Sequence, residues 1–157
     1  MKNTLKILST IIAVTLLLFL ANFKLERTKV LIIESETENI KHMVKIPQKK
    51  FTLSYIHSVQ KTPVYEVFVI AQDNKLILTE TTFSSLGVGL PYTEENGEFK
   101  NEEGQFKLTG LSREFTSIAI RVSPIPKHTI IVGEQTYPLQ SFASSDDLVK
   151  ITAADRW

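Results

Sequence analysis

No cysteine occurs in the 157 residues, which excludes disulfides, thiolate metal sites, cysteine nucleophiles and a lipid-modified N-terminal cysteine. An exported domain with this sequence must be held together by its core alone. Histidine is scarce as well. His42, His57 and His128 are dispersed, without H-x-H or H-E-x-x-H spacing, so neither a dedicated metal site nor a cofactor is expected. An excess of one charge is also missing. Lys2 and Lys6 are the only charged side chains before Lys24, and taking them from the 18 basic residues leaves 16 against 17 acidic ones, a net charge of −1. This is not the basic footprint of a nucleic-acid binder, and no nucleic-acid partner is expected. Sustained helical periodicity is absent after the first two dozen residues, and no internal repeat is present.

What the chain does have comes first at its N-terminus. Ile7 to Phe23 is an uncharged run of about 17 residues that would span about 26 Å as a helix, near the lower limit for crossing a bilayer. The alternatives are a cleaved signal peptide and a buried helix. The exit Leu18-Phe19-Leu20-Ala21-Asn22-Phe23 has no A-x-A-like cleavage pattern, which favours an uncleaved anchor. Basic residues flank both ends and do not decide orientation. The N-terminal flank is too short to be a domain, and long following domains are translocated largely regardless of charge, so the body is expected outside the cytoplasm. The expected organisation is a membrane anchor over residues 1–27 and an extracytoplasmic β domain over residues 28–157, a single-pass protein of the cell membrane.

After the anchor the hydrophobic period changes from helical to two residues. Phe51, Leu53, Tyr55, His57 and Val59 alternate with Thr52, Ser54, Ile56 and Ser58. Short runs of strand character recur at Lys29 to Ile33, His42 to Ile46, Val64 to Ile70, Leu76 to Phe83, Gln105 to Leu108, Ser117 to Val122 and Thr129 to Val132. Turn signals at Pro47, Asp73-Asn74, Asn96-Gly97, Pro124 with Pro126, and Gly133 separate them. Asp146 to Thr152 reads as a short helix capped by Ser144 or Ser145 or as a last strand, and the β-branched Val149 and Ile151 favour the strand. The expected fold is mainly β, an antiparallel sandwich or partly closed barrel of eight or more short strands. The acidic stretch Glu94 to Glu103 lacks the D-x-D spacing of a calcium loop and reads as a solvated hairpin tip.

The densest chemistry lies in His57 to Glu66, HSVQKTPVYE. His57 ends one strand, Ser58 to Pro63 turns the chain, and counting back from Asp73-Asn74 places Glu80 or Thr81 opposite Glu66 or Val67. In that register His57, Ser58, Lys61, Glu66 and Glu80 gather at one sheet end, with His57 presented towards Glu66 or Glu80. A slip of one residue would reverse their faces. Ser58 and Lys61 spell the S-x-x-K of serine acyl-transfer enzymes, but Pro63 and the flanking strand periods deny them the helix that motif needs. Gly87-Val88-Gly89 resembles part of a phosphate loop without the lysine and helix that would follow it.

Tyr55-Ile56-His57-Ser58-Val59, Thr62-Pro63-Val64-Tyr65-Glu66, Leu78-Thr79-Glu80 and Ser85-Leu86-Gly87-Val88-Gly89-Leu90-Pro91 resemble domain-of-unknown-function family 1850, small membrane-anchored exported proteins. Val88 stands where that family commonly has alanine. The resemblance implies an accessory role beside a tripartite TRAP transporter of the TAXI branch, with transporter subunits or an organic-acid ligand as partner. The surface expected to bind comprises His57, Ser58, Lys61, Thr62, Pro63, Tyr65, Glu66, Glu80, Ser85, Gly87, Gly89 and Pro91. The alternatives are an extracytoplasmic hydrolase using His57 and Ser58 with Glu66 or Glu80, and a structural envelope scaffold. The hydrolase requires nucleophile and base within about 3 Å, which neighbouring strand residues do not readily meet because their side chains point to opposite faces.

Overall fold

The structure, a computed structural model, describes residues 28–84, 97–102 and 104–156, together with Lys6, Ile12, Val14 and Thr15, which are helical. The rest of the expected anchor lies outside the described residues, as do Ser85, Gly87, Gly89 and Pro91. Among the described residues no helix is long and apolar enough to cross a membrane.

Eleven strands are described: β1 (Thr28–Ser35), β2 (Lys41–Ile46), β3 (Lys50–Ile56), β4 (Pro63–Ile70), β5 (Leu76–Phe83), β6 (Glu98–Glu102), β7 (Gln105–Phe115), β8 (Ile118–Arg121), β9 (Thr129–Val132), β10 (Gln135–Pro138) and β11 (Leu148–Arg156). They form two antiparallel sheets, β2-β1-β11-β8 and β10-β9-β3-β4-β5-β7-β6. Both strand orders are open, so among the described strands no barrel closes and the two-sheet half of the expectation stands. The expected final strand is present as β11. The strand expected to end at His57 ends one residue earlier, at Ile56, where the chain turns.

One core serves both sheets. Leu31, Ile33, Val44, Ile46, Val149 and Ile151 from the four-stranded sheet meet Phe51, Leu53, Phe68, Leu78, Leu108 and Ile130 from the seven-stranded one. The period-2 alternation of β3 places Phe51 and Leu53 in this core, and Phe51 stacks on Phe68 of β4 with ring centroids 5.2 Å apart. A smaller cluster of Val64 and Phe83, with Tyr55, Phe99 and Phe106 against it, lies towards the end where β3 turns into β4.

Two polar devices hold the layers. Lys29 of β1, only 5% exposed, pairs with Asp155 of β11 at 3.0 Å. It also donates to the Gln72 carbonyl at 3.0 Å and to Asn74 Oδ1 at 2.7 Å in the β4–β5 turn. Asp147 accepts from the Ser35 hydroxyl, and from the Thr37 amide and hydroxyl at 3.1 and 2.7 Å, closing the β1–β2 turn onto the start of β11. Those bonds hold its carboxyl below the usual carboxylate range.

Candidate functional site

Strand β4 alternates Val64, Glu66, Phe68 and Ile70 on its inner face, so one carboxylate interrupts an apolar row. The β3–β4 register sets Leu53 opposite Glu66 and Tyr55 opposite Val64. The Tyr55 hydroxyl reaches Glu66 Oε1 at 3.4 Å. Burial raises the Glu66 pKa above its ordinary value, only partly offset by the tyrosine bond. Burial and the neighbouring carboxylate push the Tyr55 phenol well above its usual range.

A bulge decides what faces Glu66 from the other side. From the turn, Ile70 pairs with Leu76, Val69 with Ile77 and Phe68 with Leu78; the pairing then skips Thr79, so that Val67 meets Glu80 and Glu66 meets Thr81. Were Thr79 paired opposite Val67 in unbroken register, Glu80 would oppose Glu66 and both carboxylates would point inward. The bulged Thr79 closes its own hydroxyl on the Val67 carbonyl at 3.1 Å. Thr81 is therefore the inner residue, 1% exposed, and its Oγ1 has no hydrogen-bond partner among the described residues. Glu80 faces the other side of the sheet and pairs with Lys107 at 2.9 Å.

Strand β9 supplies a fourth group. Leu53 pairs with Ile130 and Ser54 with Thr129, which brings His128 beside Tyr55 with ring centroids 5.5 Å apart. The His128 Nδ1 is buried without a partner, and burial lowers its pKa. Thr62, two residues before Val64, is a second residue with a buried, unpartnered hydroxyl oxygen. Tyr55 packs against the smaller aromatic cluster, and on the inner face of β5 Thr81 falls between Leu78 of the main core and Phe83 of the smaller cluster.

The expected pairing of His57 with Glu66 or Glu80 is not formed. The His57 Nδ1 accepts from the Val59 and Gln60 amides at 3.3 and 3.1 Å. Its backbone meanwhile closes the loop through the Thr62 carbonyl and the Lys61 amide, each at 2.9 Å. Lys61 takes a positive φ of 55° to complete this turn. The imidazole is spent on shaping its own loop because the chain leaves β3 one residue before His57. Pro63 starts β4, and Tyr65 points outward, 39% exposed. Of the expected site residues the structure joins Glu66 to the inner row, adds Tyr55, Thr81 and His128, and leaves His57, Ser58 and Lys61 on the loop. Among the described residues no group of three or more His, Asp or Glu side chains is placed to hold a metal ion.

Fold and row together define a two-sheet antiparallel β domain with one partly buried carboxylate and several unpartnered acceptors at one end of its larger sheet. The chain belongs to the family described as a domain of unknown function, DUF1850, whose model matches residues 51–139. No curated protein and no solved structure matches it. The matched segment runs from β3 through β10 and so contains all seven strands of the larger sheet together with Tyr55, Glu66, Thr81 and His128.

Proposed function

We propose that this protein is a membrane-anchored, extracytoplasmic and non-catalytic accessory module that docks with a subunit of a TAXI-type TRAP organic-acid transporter. The observation that carries the non-catalytic part is the use of His57 by its own loop. A general base must be oriented towards its nucleophile, yet this imidazole accepts two backbone amides, and neither Glu66 nor Glu80 orients it. The hydrolase alternative thereby loses its base. The resemblance around His57 to Glu66 and Ser85 to Pro91 supports the transporter setting, and the uncharged run Ile7 to Phe23 supports the anchor and the extracytoplasmic location.

The docking surface proposed is the β3–β4 loop, which the His57 turn presents as a shaped unit. Val59 at its tip is 67% exposed, beside Ser58 and Lys61, with Tyr65 on the outward face of the adjoining strand. An exposed apolar side chain flanked by polar ones on a loop held by internal hydrogen bonds suits recognition of a protein partner. An organic acid remains the second partner of this proposal.

Extraction in mild detergent and co-purification with transporter subunits tests the docking. Val59→Asp with Lys61→Glu is expected to reduce recovery of the subunits at least about tenfold with Tm unchanged within a few degrees. Undiminished recovery and transport with this loop altered removes the proposal and leaves the scaffold alternative.

A further inference from the structure

The unpartnered atoms of the inner face share one chemical property: each can accept a hydrogen bond. Ionised Glu66 only accepts, the Thr81 hydroxyl has free lone pairs, and a neutral histidine presents one bare ring nitrogen. No basic side chain is set to answer them among the described residues. Inner neighbours are Leu53 and Tyr55 on β3, Phe83 on β5, Phe106 and Leu108 on β7, Phe99 and Asn101 on β6, and Ile130 on β9. On the facing sheet, Lys29 is bound to Asp155 and the β4–β5 turn, and His42 rests on Phe142 at 4.9 Å. Lys107 lies on the opposite face with Glu80.

A partly buried carboxylate without a counter-ion, beside the orphaned Thr81 hydroxyl and aromatic rings, is complementary to a positive hydrogen-bond donor. An ammonium group has three N–H donors and no acceptor, and aromatic faces attract it further. Phe83, Phe106 and Phe99 stack in sequence beside the row, with centroids 5.8 and 5.7 Å apart, and offer a wall for an apolar body. Glu66, Tyr55 and His128 are each partly exposed, so the row can be reached, while Thr81 forms its floor.

We propose that this end of the inner face binds a small organic ammonium ion carried on an apolar or aromatic body, with Glu66 as counter-ion and Thr81, directly opposite it on β5, as acceptor of one of its N–H groups. The ion binds the ionised carboxylate, so binding releases a proton wherever Glu66 is protonated beforehand. Affinity therefore rises with pH through the raised Glu66 pKa and levels off above it.

Benzylamine, benzoate and benzyl alcohol carry one aromatic body and three head groups, cationic, anionic and neutral at pH 7. Ligand-observed NMR titration of the full-length chain in a mild non-ionic detergent is expected to show saturable binding of benzylamine alone, at least about tenfold tighter than either analogue. Glu66→Gln is expected to lower that affinity at least about tenfold and to abolish its pH dependence. Thr81→Val, which keeps the β-branched shape, should weaken it several-fold while Tm stays put. Equal binding of all three probes, preference for benzoate with affinity falling as pH rises, or no saturable binding would each overturn the proposal, the last leaving the row to ordered water. Transporter recovery in the co-purification above reads Val59 and Lys61 on a different surface, so either proposal can fail alone.

Discussion

Glu66 is held where its charge is disfavoured, and the sign of that effect fixes how stability should follow pH. Burial raises its folded pKa above the ordinary value of 4.5. Below that ordinary value the carboxyl is protonated in both the folded and unfolded chain, and its burial has no electrostatic cost. As pH rises through it, the unfolded chain releases its proton first and stability falls, until the folded pKa is passed and the penalty is complete. Glutamine keeps the shape and can still accept from Tyr55, but it carries no charge. Glu66→Gln is therefore expected to leave Tm unchanged near pH 4 and to raise it by a few degrees at pH 8, as read by thermal melts across that range. A variant that melts lower than the parent at pH 8 would mean that ionised Glu66 is stabilised by its surroundings, contrary to the burial argument. His128 adds a penalty at the acid side: its neutral form is favoured by burial, so stability declines as pH falls below its ordinary value of 6.5.

At the scale of the strand, the chemistry of the inner row depends on one inserted residue. An unbroken β4–β5 register, with Thr79 paired opposite Val67, would set Glu80 opposite Glu66, and like charges directly opposed across a strand pair are destabilising, more so on a partly buried face. Deleting Thr79 leaves Val67 opposite Glu80 and Glu66 opposite Thr81, so it is expected to cost about 1 kcal/mol in urea-induced unfolding, for the lost Thr79 bond to the Val67 carbonyl. In the full-length chain Glu80→Gln should stay within about 1 kcal/mol, because the Glu80 pair with Lys107 lies on the outward face. A loss of about 3 kcal/mol or more, partly recovered by adding Glu80→Gln, would show instead that the deletion draws Glu80 inward beside Glu66. The same element explains what sequence could and could not disclose. Alternation located β5 at Leu76–Phe83 and β9 at Thr129–Val132 to the residue, and counting from the turn reached the Glu66–Thr81 pairing as one of the registers left open. A bulge has no periodic signature, so only the structure distinguishes the two. The strands β6, Glu-Phe-Lys-Asn-Glu, and β10, Gln-Thr-Tyr-Pro, escaped detection because both are edges of the seven-stranded sheet, where polar residues are tolerated and alternation is lost. Extending the β3 alternation to His57 runs one residue past the strand, which ends at Ile56. His128 was legible only as an isolated histidine, since its approach to Tyr55 depends on β9 pairing with β3 across more than seventy positions.

Considered as a whole, the molecule joins a continuous unit to a composite one. The seven-stranded sheet is built entirely within residues 51–139 apart from the first residue of β3, whereas the four-stranded sheet is assembled from β1 and β2 before that segment, β11 after it and β8 within it. The two chain ends must therefore be brought together and then fixed to the larger sheet, and the shared apolar core does most of this. Apolar contact is non-directional, however, and Lys29 supplies direction. Its ammonium group joins Asp155 of the neighbouring strand to Gln72 and Asn74 in a turn of the opposite sheet, using its three donors on three acceptors in a 5%-exposed position. Lys29→Met retains most of the apolar stem and removes the ammonium, leaving the Gln72 carbonyl, the Asn74 side chain and the Asp155 carboxylate to find other donors. Asp155 is 26% exposed and water can reach it, which keeps the cost below that of a fully buried orphan charge. The expected loss is about 2 kcal/mol, seen as a lower urea midpoint with an unchanged m-value and one cooperative transition. If the midpoint does not move, the orientation of the sheets is set by the core alone; if the transition splits in two, the four-stranded sheet unfolds separately and Lys29 is what makes the two sheets a single cooperative unit.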